Sequence, residues 1–308
     1  MILAAIASMA MAPASIEEIL SRPIDATAKR YNARDDKGMG LDCIKIEQIA
    51  PNRYIGIHHT MMAGIFHLRL VESANLLDWK HIRTVDEHGH QGTLRKAGKR
   101  WLMAWEKDGK EGNWIRLVAF DSTDDLISGK VAKQFDLPRE LSKFAEGTPS
   151  IYGTVPETGD WDRSQLDIRF HYWRDGDVDR QAEGKLLNFK IWRSQIRQGA
   201  PTPLESIYRG NIGDRDYFTA NRQNYEVLEA QLKKDDWAGW RILLREGSKA
   251  FNELKIVTEK NSKSFANPTV TNLTLPNGKP GLGISYFMPS QGNHKDESGQ
   301  LIFYRELS

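Results

Sequence analysis

Apolar and polar residues alternate in twos along most of this chain, the spacing of half-buried β-strands rather than of helices. The alternating runs come in sets, and the sets recur. "RYIGIHHT" (53–60) and "IFHLRLVESANLLDW" (65–79) are echoed by "RWLMAWEKD" (100–108) and "WIRLVAFDSTDDLISG" (114–129), and again by "LDIRFHYWR" (166–174) and "LLNFKIWRSQI" (186–196). "YEVLEAQLKKDDWAGWRILLRE" (225–246) and "GLGISYFMPSQGNHKDESGQLIFYREL" (281–307) supply two more pairs. Each pair follows an opening run: "CIKIEQI" (43–49), "GTLRKAG" (92–98), "GTPSIYGTV" (147–155), "RDYFTANR" (215–222) and "NPTVTNLTL" (267–275). Most pairs are followed by an outer run: "KHIRTV" (80–85), "AKQFDLP" (132–138), "PLESIYR" (203–209) and "ELKIVTE" (253–259). The repeat is roughly 45 to 65 residues, near the range of propeller blades. Five units of mostly four antiparallel strands predict an all-β protein, a five-bladed β-propeller over residues 41–308.

Little of the chain reads as helix. "SIEEILSRP" (15–23) has Ser15 as N-cap, Glu18 completing a capping box and Pro23 as a stop, so the arm of residues 15–40 carries one short helix. "PRELSKFAEG" (138–147) suggests one further helical turn. The fifth set ends at the C-terminus without an outer run; either residues 24–34 supply it and close the ring, or this blade lacks one. Residues 1–14 are small and apolar, too short to span a bilayer and similar to the later part of a secretory signal, though without basic residues at the front. They point to an extracellular or periplasmic protein.

Composition narrows the chemistry. With a formal charge of +2 over 308 residues and no basic stripe, nucleic acid is not an expected partner. The single cysteine, Cys43, excludes an intrachain disulfide and a cysteine zinc site, and reads as a buried thiol. "GKPGLG" (278–283) is a hairpin turn rather than a phosphate loop, and no Gly-x-Ser-x-Gly elbow occurs. No cofactor is expected, a structural calcium aside.

In a propeller, the starts of the innermost strands converge on one face, so candidate residues open each set. These are Asp42, the "HQGT" stretch with Gln91, Glu146 in "EGTPSI", then Asp214, Arg215 and Asp216 in "GDRD", and Asn267. His58 and His59 lie on a second strand, where a core role is expected. His88, His90 and His294 fall in loops, where a site role is open to each; His294 is the candidate for holding a water or an ion over the channel. Trp105, Tyr172, Trp173 and Phe287 lie on second strands as packing residues, with Trp105 and Trp173 also placed to offer a sugar platform. Asn272 opens a glycosylation sequon.

The five-set pattern, the "SANLLDW" turn at Ser73–Trp79 and the "EGTPSI" strand entrance resemble the five-bladed propeller glycoside hydrolases, family 43 and its arabinan-, xylan- and fructan-cleaving relatives. The resemblance implies hydrolysis of a glycosidic bond with inversion. It implies Glu146 as general acid and Asp42 as general base on a carbohydrate substrate; Arg215, Asp214, Asp216 and Gln91, at the strand openings beside them, are the candidate substrate contacts. An acid must be kept protonated by burial or a neighbouring charge, and an inverting pair stands about 6.5–9.5 Å apart to admit water. A carboxylate expected to tune the acid from the second set is missing, its place falling on Thr93 beside Gln91; Asp214, Asp216 or Asp36 would have to reach Glu146 instead. Asp35 and Asp36 are alternatives for the base. The competing reading is a non-catalytic propeller that binds carbohydrate or protein; a lyase or transferase on the same scaffold is a third.

Overall fold

The computed structural model describes residues 14–155, 160–197 and 202–307. They form five separate four-stranded antiparallel sheets, each one blade. From the innermost strand outward, blade one is Asp42–Ala50, Arg53–Met62, Ile65–Ser73 and Lys80–Asp86; blade two is Gly89–Ala97, Arg100–Lys107, Trp114–Phe120 and Lys133–Asp136. Blade three is Glu146–Val155, Gln165–Arg174, Val178–Leu187 and Ile191–Ile196; blade four is Arg215–Ala220, Gln223–Gln231, Trp240–Glu246 and Asn252–Glu253. Blade five takes Ala266–Thr274, Pro280–Met288 and Gly299–Glu306 from the C-terminal end and Ala28–Arg30 from the N-terminal arm. The ring is closed by the arm, which pairs Lys29 with Phe303.

The arm is tied down as well as paired. Ser15 Oγ accepts the Glu18 N–H while Glu18 Oε2 accepts the Ser15 N–H, the reciprocal cap of helix Ile16–Ser21. Ile16, Ile19 and Leu20 then pack into the core between blades four and five with Phe218, Val227, Ile284 and Tyr286. Comparable apolar layers lie between blades five and one, one and two, and two and three. Alternation explains them: each strand gives one set of side chains to the preceding blade and the other to the next.

Two expectations at blade three are corrected. "LLNFKIWRSQI" is not one strand; it turns at Asn188 and Phe189, both with positive φ, and Ile191–Ile196 is already the outermost strand. The third strand is the more polar "VDRQAEGKLL", whose Arg180, Gln181 and Asp179 serve buried partners and so broke the hydrophobic alternation. "PLESIYR" accordingly is not a strand but lies largely in helix Thr202–Ile207. "PRELSKFAEG" forms no helical turn; its backbone is bent around the Glu146 carboxylate. The "SANLLDW" turn is held by its own side chains. Ser73 Oγ and Asn75 Oδ1 accept four backbone N–H groups between them, and Trp79 Nε1 donates to the Leu76 carbonyl at 3.0 Å. Residues 1–13, and with them nearly all of the signal-like segment, lie outside the described residues. Among the described residues no helix is long and apolar enough to cross a membrane.

Candidate functional site

With four antiparallel strands per blade, every outermost strand returns the chain to one end of the channel, and all five innermost strands start there. That end is the upper mouth. In blades one, two, three and five the ladder slips just inside the start, between Asp42 and Lys45, His90 and Thr93, Gly147 and Ser150, and Ala266 and Thr269. Each slip holds a non-glycine residue in the left-handed region: Cys43 (φ 57°), Gln91 (50°), Thr148 (46°) and Asn267 (46°). Such backbone is retained only where its surroundings over-determine it. Here a buried acceptor does so in each blade. The N–H of Cys43 donates to Gln300 Oε1 (2.7 Å), that of Gln91 to His59 Nδ1 (3.2 Å), that of Thr148 to Glu106 Oε2 (3.1 Å) and that of Asn267 to Glu229 Oε2 (2.6 Å). In blade four Asp214 takes the matching place, its N–H on Glu229 Oε1 at 2.7 Å.

These five residues form an upper ring, and counting in twos down each strand gives two further layers. The middle layer is Lys45, Thr93, Ser150, Asp216 and Thr269; the lower is Glu47, Arg95, Tyr152, Phe218 and Thr271. The rings are stitched across the channel. Asn267 Nδ2 donates to Gln91 Oε1 at 3.2 Å, and Lys45 Nζ reaches Asp214 Oδ1 at 3.0 Å. Burial opposes charge on Lys45, but Asp214 and Asp216 outweigh it and hold the ammonium above its ordinary pKa. The channel thus holds a buried ion pair made through Asp214 Oδ1, while Asp214 Oδ2 is buried without a hydrogen-bond partner among the described residues.

The expected catalytic pair is placed differently from the expectation. Glu146 is 2% exposed, and its Oε1 accepts the backbone N–H groups of Glu140, Leu141 and Ser142 at 2.8, 2.6 and 3.1 Å. Burial raises its pKa while those N–H groups oppose the rise. The Glu140 carboxylate adds to the rise, and no hydrogen bond joins Glu146 to Asp214, Asp216 or Asp36 among the described residues. Thr148, two residues on, is the blade-three residue of the upper ring. Asp42 differs: it is half-buried, and its carboxylate has no hydrogen-bond or ion-pair partner among the described residues. Burial pushes its pKa up to about 6, with Arg34 opposing. Asp35 accepts from the Lys37 and Met39 N–H groups and pairs with Arg69 at 2.9 Å, and Asp36 accepts from the His81 N–H, so both build the arm.

Arg215 is fully buried and donates to the carbonyls of Thr148 and Gly213, which places it inside the wall as a brace between blades three and four rather than against a soluble ligand. Asp214 is equally unexposed, and Asp216 accepts from the Tyr217 and Val270 N–H groups. Trp105 is core, its Nε1 on Asp86 Oδ2 at 3.0 Å. Trp173 is half-buried at the upper rim near Phe144, which is 55% exposed. Gln91 lies in the upper ring. His294 caps its own turn beside Asp296 at 3.4 Å, and no group of three or more His, Cys, Asp or Glu side chains placed to hold a metal occurs among the described residues.

Beside the upper ring lies a group the alternation did not single out as a unit. Glu106 is buried and stands 3.7 Å from both His90 Nε2 and His171 Nε2, while accepting from Asn113 Nδ2 and the Thr148 N–H. Asp108 lies 3.0 Å from His90, and Asp179 lies 3.5 Å from His171. Burial works against ionised Glu106, but the two imidazoles and the two donors outweigh it and lower its pKa; Glu106 and Asp108 in turn raise that of His90. A signal for this existed. Paired against the strand openings are His59, Glu106, His171 and Phe287, with Glu229 in the same place in blade four. Superposing the five repeats puts a titratable side chain at one position in four of five.

No family model matches the sequence, and no curated protein matches it. Solved structures do. A thermostable family-43 glycoside hydrolase shares 12% identity at a TM-score of 0.62, over 89% of this chain and 92% of that one. The family-43 endo-arabinanase of Bacillus licheniformis shares 9% at 0.57, over 90% and 96%. An exo-1,5-alpha-L-arabinanase from a bovine ruminal metagenomic library shares 11% at 0.59, over 89% and 95%. At these identities the likeness is one of fold.

Proposed function

We propose that this protein, built on the five-bladed scaffold shared with family-43 glycoside hydrolases, recognises a carbohydrate at the upper mouth without cleaving it. The observation that carries the reading is the upper ring itself. Four of its five members, Cys43, Gln91, Thr148 and Asn267, carry no carboxylate, and the fifth, Asp214, is unexposed and paired with Lys45. Glycosidic cleavage by two carboxylates needs both to reach the bond. Here one oxygen of the buried Glu146 carboxylate, Oε1, is taken by three backbone N–H groups. What remains at the rim suits binding: half-buried Trp173 and Gln91, exposed Phe144 and the imidazoles held by Glu106.

Hydrolysis is the second reading, and one observation favours it. Asp42 opens blade one with an unpartnered carboxyl at a pKa of about 6, poised to exchange a proton near neutral pH. One experiment separates the two. Arabino-, xylo- and fructo-oligosaccharides are titrated calorimetrically, and the same mixtures are assayed for new reducing ends. Saturable binding with no product is expected. Turnover that inflects near pH 6 and falls by a hundredfold or more in Asp42→Asn would establish hydrolysis and displace the binding reading. Neither binding nor turnover across the panel would refute both.

A further inference from the structure

At the opposite end of the channel the lower layer opens into a cavity of about 430 Å³ to which all five innermost strands contribute. Its wall is polar and carries two guanidinium groups. Arg95 has a 40% exposed side chain; its nearest carboxylate is Glu47, at 3.9 Å, too long for a hydrogen bond, and Asp216 acts on it from deeper in the channel. Arg169 is clamped between the rings of Tyr152 and Tyr217, at 4.3 and 4.6 Å from their centroids. Asn224, Asn272 and Thr219 line the rim.

Charge behind the wall is unbalanced. Arg169, Arg197 and Arg245 meet Glu226 and Glu183: Arg197 lies 2.6 Å from Glu226, Arg245 is in direct contact with it, Arg169 stands 3.8 Å from it, and Arg169 is 3.5 Å from Glu183. Three cations against two anions leave one positive charge; Arg95 adds a second, facing Glu47 and, deeper in the channel, Asp216, which Lys45 also faces. Burial pushes the Glu47 carboxyl up to about 7, so near neutrality it offsets only part of that charge. A single negative charge would balance the cavity, and a planar carboxylate matches an unengaged guanidinium bidentately. The amide and hydroxyl rim suits a ligand that also carries hydroxyl groups.

We infer that the lower mouth is a second binding site, specific for a small hydroxylated carboxylate of the sugar-acid class, with Arg95 and Arg169 holding the carboxylate. It stands on a different face from the carbohydrate reading and does not depend on it.

The test is calorimetric titration of the full chain with glucuronate, glucose and glucose 6-phosphate, in wild type, Arg95→Gln and Asp42→Asn. Glucuronate is expected to bind saturably and glucose at least tenfold more weakly. Arg95→Gln should weaken glucuronate by tenfold or more, and Asp42→Asn should leave it unchanged. Arg95 is partly exposed and makes no hydrogen bond among the described residues, so its variant should fold; circular dichroism checks this. If glucuronate does not bind, or binds equally to Arg95→Gln, the site is refuted. Loss of glucuronate in Asp42→Asn alone would move the anion to the upper mouth, and tighter binding of glucose 6-phosphate would overturn the carboxylate class.

Discussion

At the scale of single residues, the structure turns on acceptors that hold strained backbone. Glu106 is the fullest case, since it receives the N–H of left-handed Thr148 and stands between two imidazoles. It also explains Gly147, where an added methyl group would collide with the Glu106 carboxylate. The linkage has a definite sign. The pKa of Glu106 is lowered from its ordinary 4.5, so its contribution is present above that value and lost as pH falls through the folded value. That of His90 is raised from 6.5, so its contribution is present below that value and lost as pH rises through the folded value. Glu106→Gln should therefore lose most stability between pH 4.5 and 6.5, and less on either side. Denaturant titrations at acidic, intermediate and alkaline pH read this directly, and a pH-independent difference would show that the imidazoles are not coupled to Glu106.

At the scale of elements, the N-terminal arm belongs to the folding unit. It supplies the edge strand that covers Gly299–Glu306, and an uncovered edge would invite pairing with another chain. Its helix is only six residues long, too short to persist in isolation, so its stability comes from docking. Ile19, 1% exposed, should then matter more than the cap. Ile19→Ala is expected to lose about 2–4 kcal/mol and Ser15→Ala about 1 kcal/mol. Equal small losses in thermal and chemical unfolding would mean that the helix is an ornament rather than part of the core.

At the scale of the whole molecule, the channel joins blades that are far apart in sequence. Lys45 and Asp214 meet across the axis at 3.0 Å, 169 positions apart, and both are buried. Removing one partner leaves an uncompensated charge in the centre of the ring. Lys45→Met should cost about 3–5 kcal/mol, and adding Asp214→Asn should recover a large part of that loss. Additive losses in the double-mutant cycle would indicate that the pair does not couple the blades.

The sequence by itself displayed the five repeated sets, an arm over residues 24–34 able to close the ring and the capped first helix, although the outer run "ELKIVTE" is strand only at Glu253, within Asn252–Glu253. All follow from local periodicity, turn chemistry and repetition, which a chain displays without folding. It could not determine which residues reach the channel. A one-residue bulge moves a side chain to the other face of its strand, so Thr148 rather than Glu146 stands in the ring. Nor could alternation identify "VDRQAEGKLL" as a strand, because its polar residues are buried by partners from other segments. The Lys45–Asp214 pair, the Glu106 group and the cavity of the lower mouth exist only where several strands converge. Their burial, and hence their charge states, were decided by the tertiary structure, since desolvation and pairing depend on neighbours that the order of residues does not place in contact.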